Sequence, residues 1–393
     1  MNLVKLWSTK SLWLAFGVYV SLTLLAAAQG LLAPPKVFVS GGLAYADYNN
    51  YVIFKDSFYH LLQGRDLYRY FPADHWDLYK YSPTFSVLFS FMAVLPDYLG
   101  LPTWLLLNSL VLFAGIALLP GLDDRKKALI LLFCAPELLL SLQNDQSNAL
   151  MAGLIVLSFA LAERSRYFLS ALCIVCSVYI KLYGGLAFVL YLFYPGKVRL
   201  ALYSLFWMVF MAFLPLVVVD VHQLLFLYRS WYDLVLRDRS TSVGMSVEGV
   251  LETWGHISPH ANVVVLAGLV LFLLPLARVS RYKDYAFRLL MLSSALIWIV
   301  IFNHKAESPT FIIAMTGIGI WYFSETKPGK LDLGLLIGAF VLTTLSVSDA
   351  VPESVRTNVV RAYDVKAVMP LLIWCRIILK AILPTVRSDS PIS

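Results

Sequence analysis

Long apolar runs separated by short polar turns dominate the chain. Residues 11–32 follow Lys5 and Lys10 with a run too long for a secretory signal core, so they predict an uncleaved first transmembrane helix despite the signal-cleavage-like Ala26–Ala28 stretch before Gln29. Further spans are predicted near 101–120, 127–142, 148–162, 167–181, 184–194, 198–219, 261–279, 286–302, 308–323, 331–347 and 367–384. The segment 82–97 has only 14 mostly apolar residues from Pro83 to Pro96 inclusive, which suits a re-entrant or in-plane element better than a crossing. Within the polar island 33–81, residues 48–63 read as an amphipathic helix lying in the membrane interface. Its apolar stripe is Tyr51, Phe54, Phe58, Leu61 and Leu62, set against Asn49, Lys55, Asp56 and Gln63, and Gly64 breaks it. A second polar island, 220–260, carries another aromatic-rich amphipathic stretch, HQLLFLYRSWYDLVLRD.

Composition agrees with this pattern. Of 393 residues, 60% are hydrophobic and 14% charged, against roughly 25% charged in soluble domains. That excludes a cytosolic enzyme, a nucleic-acid binder and a secreted disulfide scaffold. The excess positive charge, +7, falls in short turns: DDRKK (123–127), ERSR (163–166), GKVR (196–199), RVSRYK (278–283) and KPGK (327–330). The positive-inside rule makes these turns and both termini cytoplasmic and the intervening loops external. The expectation is an all-α polytopic protein of about 12 transmembrane helices forming one domain over 1–393, with external loops at 33–100 and 220–260. Cys134, Cys173, Cys176 and Cys375 all lie in apolar runs, so Cys173-x-x-Cys176 reads as small residues at a helix contact rather than a redox pair. Six scattered histidines show no metal-ligand spacing.

The external turns carry the chemistry. Ionisable and amide side chains at membrane depth are costly and mark functional sites, and these turns are dense with them. Asp47, Asn49, Asn50, Lys55 and Asp56 open the first loop, and Asp66, Asp74, Asp77, Lys80 and Tyr81 close it. Gln143, Asn144, Asp145, Gln146 and Asn148 crowd one helix–helix turn. Lys181 and Tyr183 interrupt an apolar stretch, and Asn303, His304, Lys305, Glu307 and Ser308 occupy another turn. The plainer alternatives are a solvated turn for 143–148, a snorkelling anchor for Lys181, and a helix start capped by Ser308 before Pro309.

The string HLLQGRDLYRYFPADHWDLYKYSPTFSVLFSFMAVLP resembles glycosyltransferase family 87, membrane mannosyltransferases of bacteria with the GT-C helical architecture. Gly64, Leu67 and Tyr68 fill its G-x-x-L-Y element; Tyr81 and Pro83, one residue closer together than in the following Y-x-x-P element, and Leu95-Pro96 in the L-P element continue the match. The turn Gln143–Asn148 is similar to a G-Q-x-N block, Lys181 stands where the family has a lysine two spans later, and Ser308-Pro309 matches a Ser-Pro. Two positions depart: the family's acidic residue about fourteen positions before that glycine falls on Asn50, and Phe311 and Ile312 stand where histidine usually follows the Ser-Pro.

The resemblance implies transfer of a sugar, mannose by family habit, from a polyprenyl-phosphate donor to an external lipid or glycan acceptor with inversion, in the bacterial inner membrane. A cation beside the donor phosphate would stabilise the leaving charge, so neither metal nor cofactor is expected. Asp56, Asp47 and His304 are the candidate bases, in that order. Asn50, Lys55, Tyr81, Gln143, Asn144, Asp145, Asn148, Lys181, Lys305 and Glu307 are the candidate substrate-binding residues, with Arg65 a reserve cation. The competing readings are a lipid or sugar transporter or flippase, for which no repeat symmetry is visible, and a non-catalytic envelope-assembly subunit, which Asn50 would suit.

Overall fold

The computed structural model describes residues 10–38, 42–237, 243–258 and 260–383; Lys5, Asp238 and the tail after 383 lie outside them. The described chain is almost wholly helical. Helix α1 spans Lys10–Leu32, α2 Asn49–Leu62, α3 Pro83–Leu88, α4 Ser90–Ala93, α5 Asp97–Ala117 and α6 Asp124–Gln143. Then come α7 Asn148–Glu163, α8 Tyr167–Ile180, α9 Lys197–Phe213, α10 Val221–Arg237, α11 Val247–Gly255 and α12 Ala261–Leu273. Helices α13 Tyr285–Ile301, α14 Phe311–Ser324, α15 Lys330–Ala339, α16 Glu353–Val355 and α17 Val365–Ile382 complete the set. A two-stranded antiparallel ribbon, β1 Lys36–Val37 with β2 Ala44–Tyr45, pairs Lys36 opposite Tyr45.

Four helical stretches are long and apolar enough to cross a membrane: Lys10–Leu32, Asp97–Ala117, Lys197–Val217 and Lys330–Val347. Several others are apolar but shorter. One of these, Leu182–Phe193, is a 3₁₀ helix rather than the α-helix the apolar run suggested. At about 2.0 Å rise per residue, its 12 residues cover about 24 Å, so the tighter winding extends its reach. The segment 82–97 breaks into α3 and α4, each too short to cross alone. Ser82 caps α3 by accepting from the Phe85 N–H at 3.2 Å, with Pro83 in the first turn.

Helices α13 and α14 are buried over nearly their whole circumference and pack against each other, and α14 also packs on α6 and α7. Glycine sets the closest approach, where Gly153 of α7 meets α5: a Cβ there would lie 2.5 Å from the Leu112 nitrogen, so only hydrogen fits. By contrast α9 leaves Leu202, Leu205, Phe206, Val209, Phe210 and Phe213 exposed. An apolar face of that extent is stable against lipid, not water. All four cysteines are free thiols, Cys173 buried within α8 and Cys176 partly so.

Because α6, α7 and α8 run up and down in sequence, the turns 143–148 and 181–183 share one end of the bundle. The end of α13 and the start of α14 bring 303–308 to the same place. The basic turns fall at the other end, where Arg288 clasps Glu163 through two bonds of 2.6 and 2.8 Å and Tyr194 adds a third of 2.9 Å.

Helix α2 forms where amphipathicity placed it, and Gly64 ends it at φ 67°. Its buried face is wider than the expected stripe. Asn49, assigned to the polar side, is buried and clamps the Trp76 backbone, accepting from its N–H at 2.9 Å and donating to its carbonyl at 2.7 Å. Leu62, assigned to the apolar side, is half exposed. The cause is the loop 65–81, which folds back over α2 and buries a second side of it. His60 of α2 meets Asp74 of that loop at 3.1 Å, and the Tyr68 hydroxyl donates to the Tyr81 carbonyl at 3.0 Å.

Candidate active site

The polar clusters, far apart in sequence, converge in one hydrogen-bonded chain. Lys181, the first residue beyond α8, adopts an extended backbone that turns its side chain toward the start of α7. Its Nζ donates to Asn148 Oδ1 at 2.8 Å; Asn148 Nδ2 donates to Gln146 Oε1 at 2.6 Å; Gln146 Nε2 donates to Glu307 Oε2 at 2.8 Å. The first loop joins through Tyr81, whose hydroxyl lies 3.2 Å from Ser147 Oγ, and through Asn50, which donates to the Asn144 carbonyl at 2.9 Å. Lys181 also lies 5.6 Å from the Tyr81 ring centre and 5.9 Å from that of Tyr183, within cation–π range.

Three cavities adjoin this chain. The first, about 410 Å³, lies between α2, residues 77–81, the α8 end, the 303–310 turn and α10. Its cations are Lys80, Lys181 and Lys305, its walls include Ile53, Phe54, Leu182, Trp231 and Val235, and His304 faces it. The second, about 230 Å³, is polar and lined by Lys36, Asp47, Asn49, Gln143, Asn144 and Asp145 with Phe38 and Trp76. Asn50, Asp77, Gln146 and Glu307 line both, and so mark where the two meet. A third, about 760 Å³, continues from Lys36, Asp47, Gln143 and Asn144 along the apolar end of α1, past Ala28 and Leu32.

The cations differ in their commitments. Lys80 pairs with Asp77 at 3.2 Å, Lys55 with Asp97 of α5 at 2.5 Å, and Lys36 with Asp47. Lys181 is held by an amide and two aromatic faces and forms no ion pair among the described residues. A half-buried cation of that kind facing a cavity has the chemistry to bind an anion.

Thus Asn50, Tyr81, Gln146, Lys181, His304, Lys305 and Glu307 face the first cavity, Asp47, Gln143, Asn144 and Asp145 face the second, and Asn148 links them from behind. Asp56 lines none of the three. A helix turns about 100° per residue, so Ile53 and Phe54 share the face of Asn50 while Asp56 points about 120° away. There it is pushed up to about 6 by burial, then by the charge of Asp74, with Lys55 opposing. Lys55 likewise turns to Asp97, and Arg65 lines none of the cavities. Asp145, in the left-handed conformation at φ 51°, is buried, and burial followed by the nearby charge of Asp47 raises its pKa well above the carboxylate range.

Asp77, named from sequence only as one of the residues closing the first loop, sits at φ 73° between the two cavities. Two further neighbours were not singled out from sequence. Lys366 of α17 is fully buried, 2.9 Å from Glu137 of α6, and donates to Ser308 Oγ at 2.9 Å. Ser308 is therefore tied to α17 and is not the helix cap; Glu307 occupies the capping position. Glu137 stood alone in an apolar run, and that isolation was the available signal.

No curated relative matches the chain. The sequence model for glycosyltransferase family 87 matches residues 79–304, beginning after α2 and taking in Tyr81, the 143–148 turn, Lys181 and His304. With more than half of its length matched, and with the matched residues meeting at one cavity, this membrane chain belongs to glycosyltransferase family 87.

Proposed function

We propose that the protein transfers a hexose, with mannose the first to test, from a polyprenyl-phosphate donor to a hydroxyl of an external lipid or glycan acceptor in the bacterial inner membrane. About 12 crossings, cytoplasmic termini and an external site complete the reading. The observation that carries it is Lys181: a cation with no carboxylate partner among the described residues, in a cavity with both apolar and cationic walls. A lipid-linked phosphate needs both.

In the proposed step the acceptor oxygen bonds to the anomeric carbon as the bond from that carbon to the phosphate oxygen breaks. Polyprenyl phosphate leaves with the electron pair, and Lys181, with Lys80 and Lys305 near it, offsets the charge that develops. Donor in the first cavity and acceptor in the second would approach from opposite sides of Asn50, Gln146 and Glu307, the geometry of a single inverting displacement. The acceptor proton goes to a carboxylate where the cavities meet. Two carboxylates stand there, Glu307 accepting from Gln146 and Asp77 paired with Lys80; Asp77 is taken first, ahead of Asp47, His304 and the more distant Asp56. Asn50 hydrogen-bonds a sugar hydroxyl there.

The test is transfer by purified protein in nanodiscs, with EDTA, from radiolabelled polyprenyl-phosphate mannose to a lipid extract of the host. A labelled product supports the reading. Absence of product with mannose, glucose and arabinose donors alike would turn the assignment toward transport or a subunit role.

A further inference from the structure

The polar second cavity contains a group that the protein leaves unsatisfied. Asp145 is only 3% exposed, and among the described residues its carboxylate accepts no hydrogen bond; only its backbone carbonyl is engaged, by Trp104 Nε1 at 2.8 Å. A buried carboxylate without donors is costly, and this one lines a cavity. Its neighbours there show what would supply the donors. Phe38 and Trp76 stack with centres 5.7 Å apart and planes within 3°, offering the cavity an aromatic wall. Gln143 and Asn144 add amides, and Lys36 places a positive charge in the same space.

Resting on the transferase reading above, we infer that this cavity is a subsite for a sugar ring of the acceptor, with Asp145 accepting hydrogen bonds from ring hydroxyls and the Phe38–Trp76 wall covering an apolar ring face. An aromatic surface beside a carboxylate and amides suits a polyol, which has an apolar C–H face and a rim of donors. The positive charge of Lys36 speaks against an ammonium group as the occupant. The acceptor is then a glycan or glycolipid rather than a simple lipid alcohol. Its aglycone follows the third cavity, which opens from Lys36, Asp47, Gln143 and Asn144 along the apolar end of α1.

The experiment compares pentyl α-mannoside with pentanol as acceptors in nanodiscs, using wild type, Asp145→Asn and Trp76→Ala. Asparagine tolerates the left-handed backbone at 145, so the first variant exchanges one acceptor oxygen for an amide donor without straining the turn, and thermal melts verify that both variants are folded. Wild type is expected to favour the mannoside at least a hundredfold in kcat/KM. Each variant is expected to raise the mannoside KM about tenfold and leave the donor KM within twofold. Equal use of pentanol, an unchanged mannoside KM in both variants, or a parallel rise in donor KM overturns the assignment. If wild type transfers to neither acceptor, the transferase reading is what fails. Binding of pentyl α-mannoside, followed by titration calorimetry, then decides the cavity by itself: affinity lowered about tenfold in both variants supports it, and no binding or unchanged affinity overturns it.

Discussion

Replacing Lys181 with methionine removes the charge but keeps an unbranched chain of similar length. Two unit charges 4 Å apart at an effective dielectric of 20 interact by about 4 kcal/mol. As polyprenyl phosphate departs, its charge grows by about one unit, so an ammonium at that distance favours the transition state over bound donor by up to that amount. Lys181 is half-buried and shares its proton with Asn148 at 2.8 Å, which trims the expected loss to about 2–3 kcal/mol, or about 30- to 150-fold in kcat. Donor KM rises as well, because the ground state already carries negative charge. Initial rates at saturating acceptor, over a range of donor concentrations, separate the two effects, and Lys181→Arg, which keeps the charge, is expected to recover part of the rate. A folded Lys181→Met protein with kcat within threefold of wild type and an unchanged donor KM would falsify the role given to this lysine.

Three further outcomes are expected. Asp77→Asn keeps the left-handed turn that Asp and Asn share and loses transfer by about 10²-fold or more with donor KM little changed; a kcat within a few-fold of wild type would move the base elsewhere. Asp56→Asn leaves kcat within a few-fold. Because its folded carboxyl is pushed up to about 6 from about 3.9 unfolded, the wild type is fully stable on this account below pH 4 and loses stability as pH rises through 6. The melting advantage of the Asn variant should therefore grow between pH 4 and 6 and then level off. Lys366→Met strands the buried Glu137 charge and should cost about 3–5 kcal/mol, whereas Lys366→Met with Glu137→Leu should recover most of the loss in a denaturation series.

Much of the helical frame was legible because apolar runs and basic turns alternate, and the same alternation shows why distant polar turns meet at one end. Helix phase was equally available: Ile53 and Phe54 fall on the face of Asn50, and Asp56 does not. Other features depend on tertiary context. The 3₁₀ winding of Leu182–Phe193 looks like any apolar run, and the burial of Asn49 follows from a loop that packs back on α2 through residues some 25 positions away. Glu137 was visible as a lone charge in an apolar run, but nothing in one stretch of sequence says that Lys366 and α17 lie against α6. The free carboxylate of Asp145 was seen only as one member of a polar turn, since whether a group is satisfied is a property of the fold.

The central claim is that the leaving group is a lipid monophosphate held at Lys181. It is tested most directly by counting products in a single turnover with polyprenyl-phosphate mannose. The account predicts one polyprenyl phosphate released for each sugar transferred, with the anomeric configuration inverted and both products delayed together in Lys181→Met. Sugar transfer with retained configuration, or sugar transfer without release of polyprenyl phosphate, would contradict it.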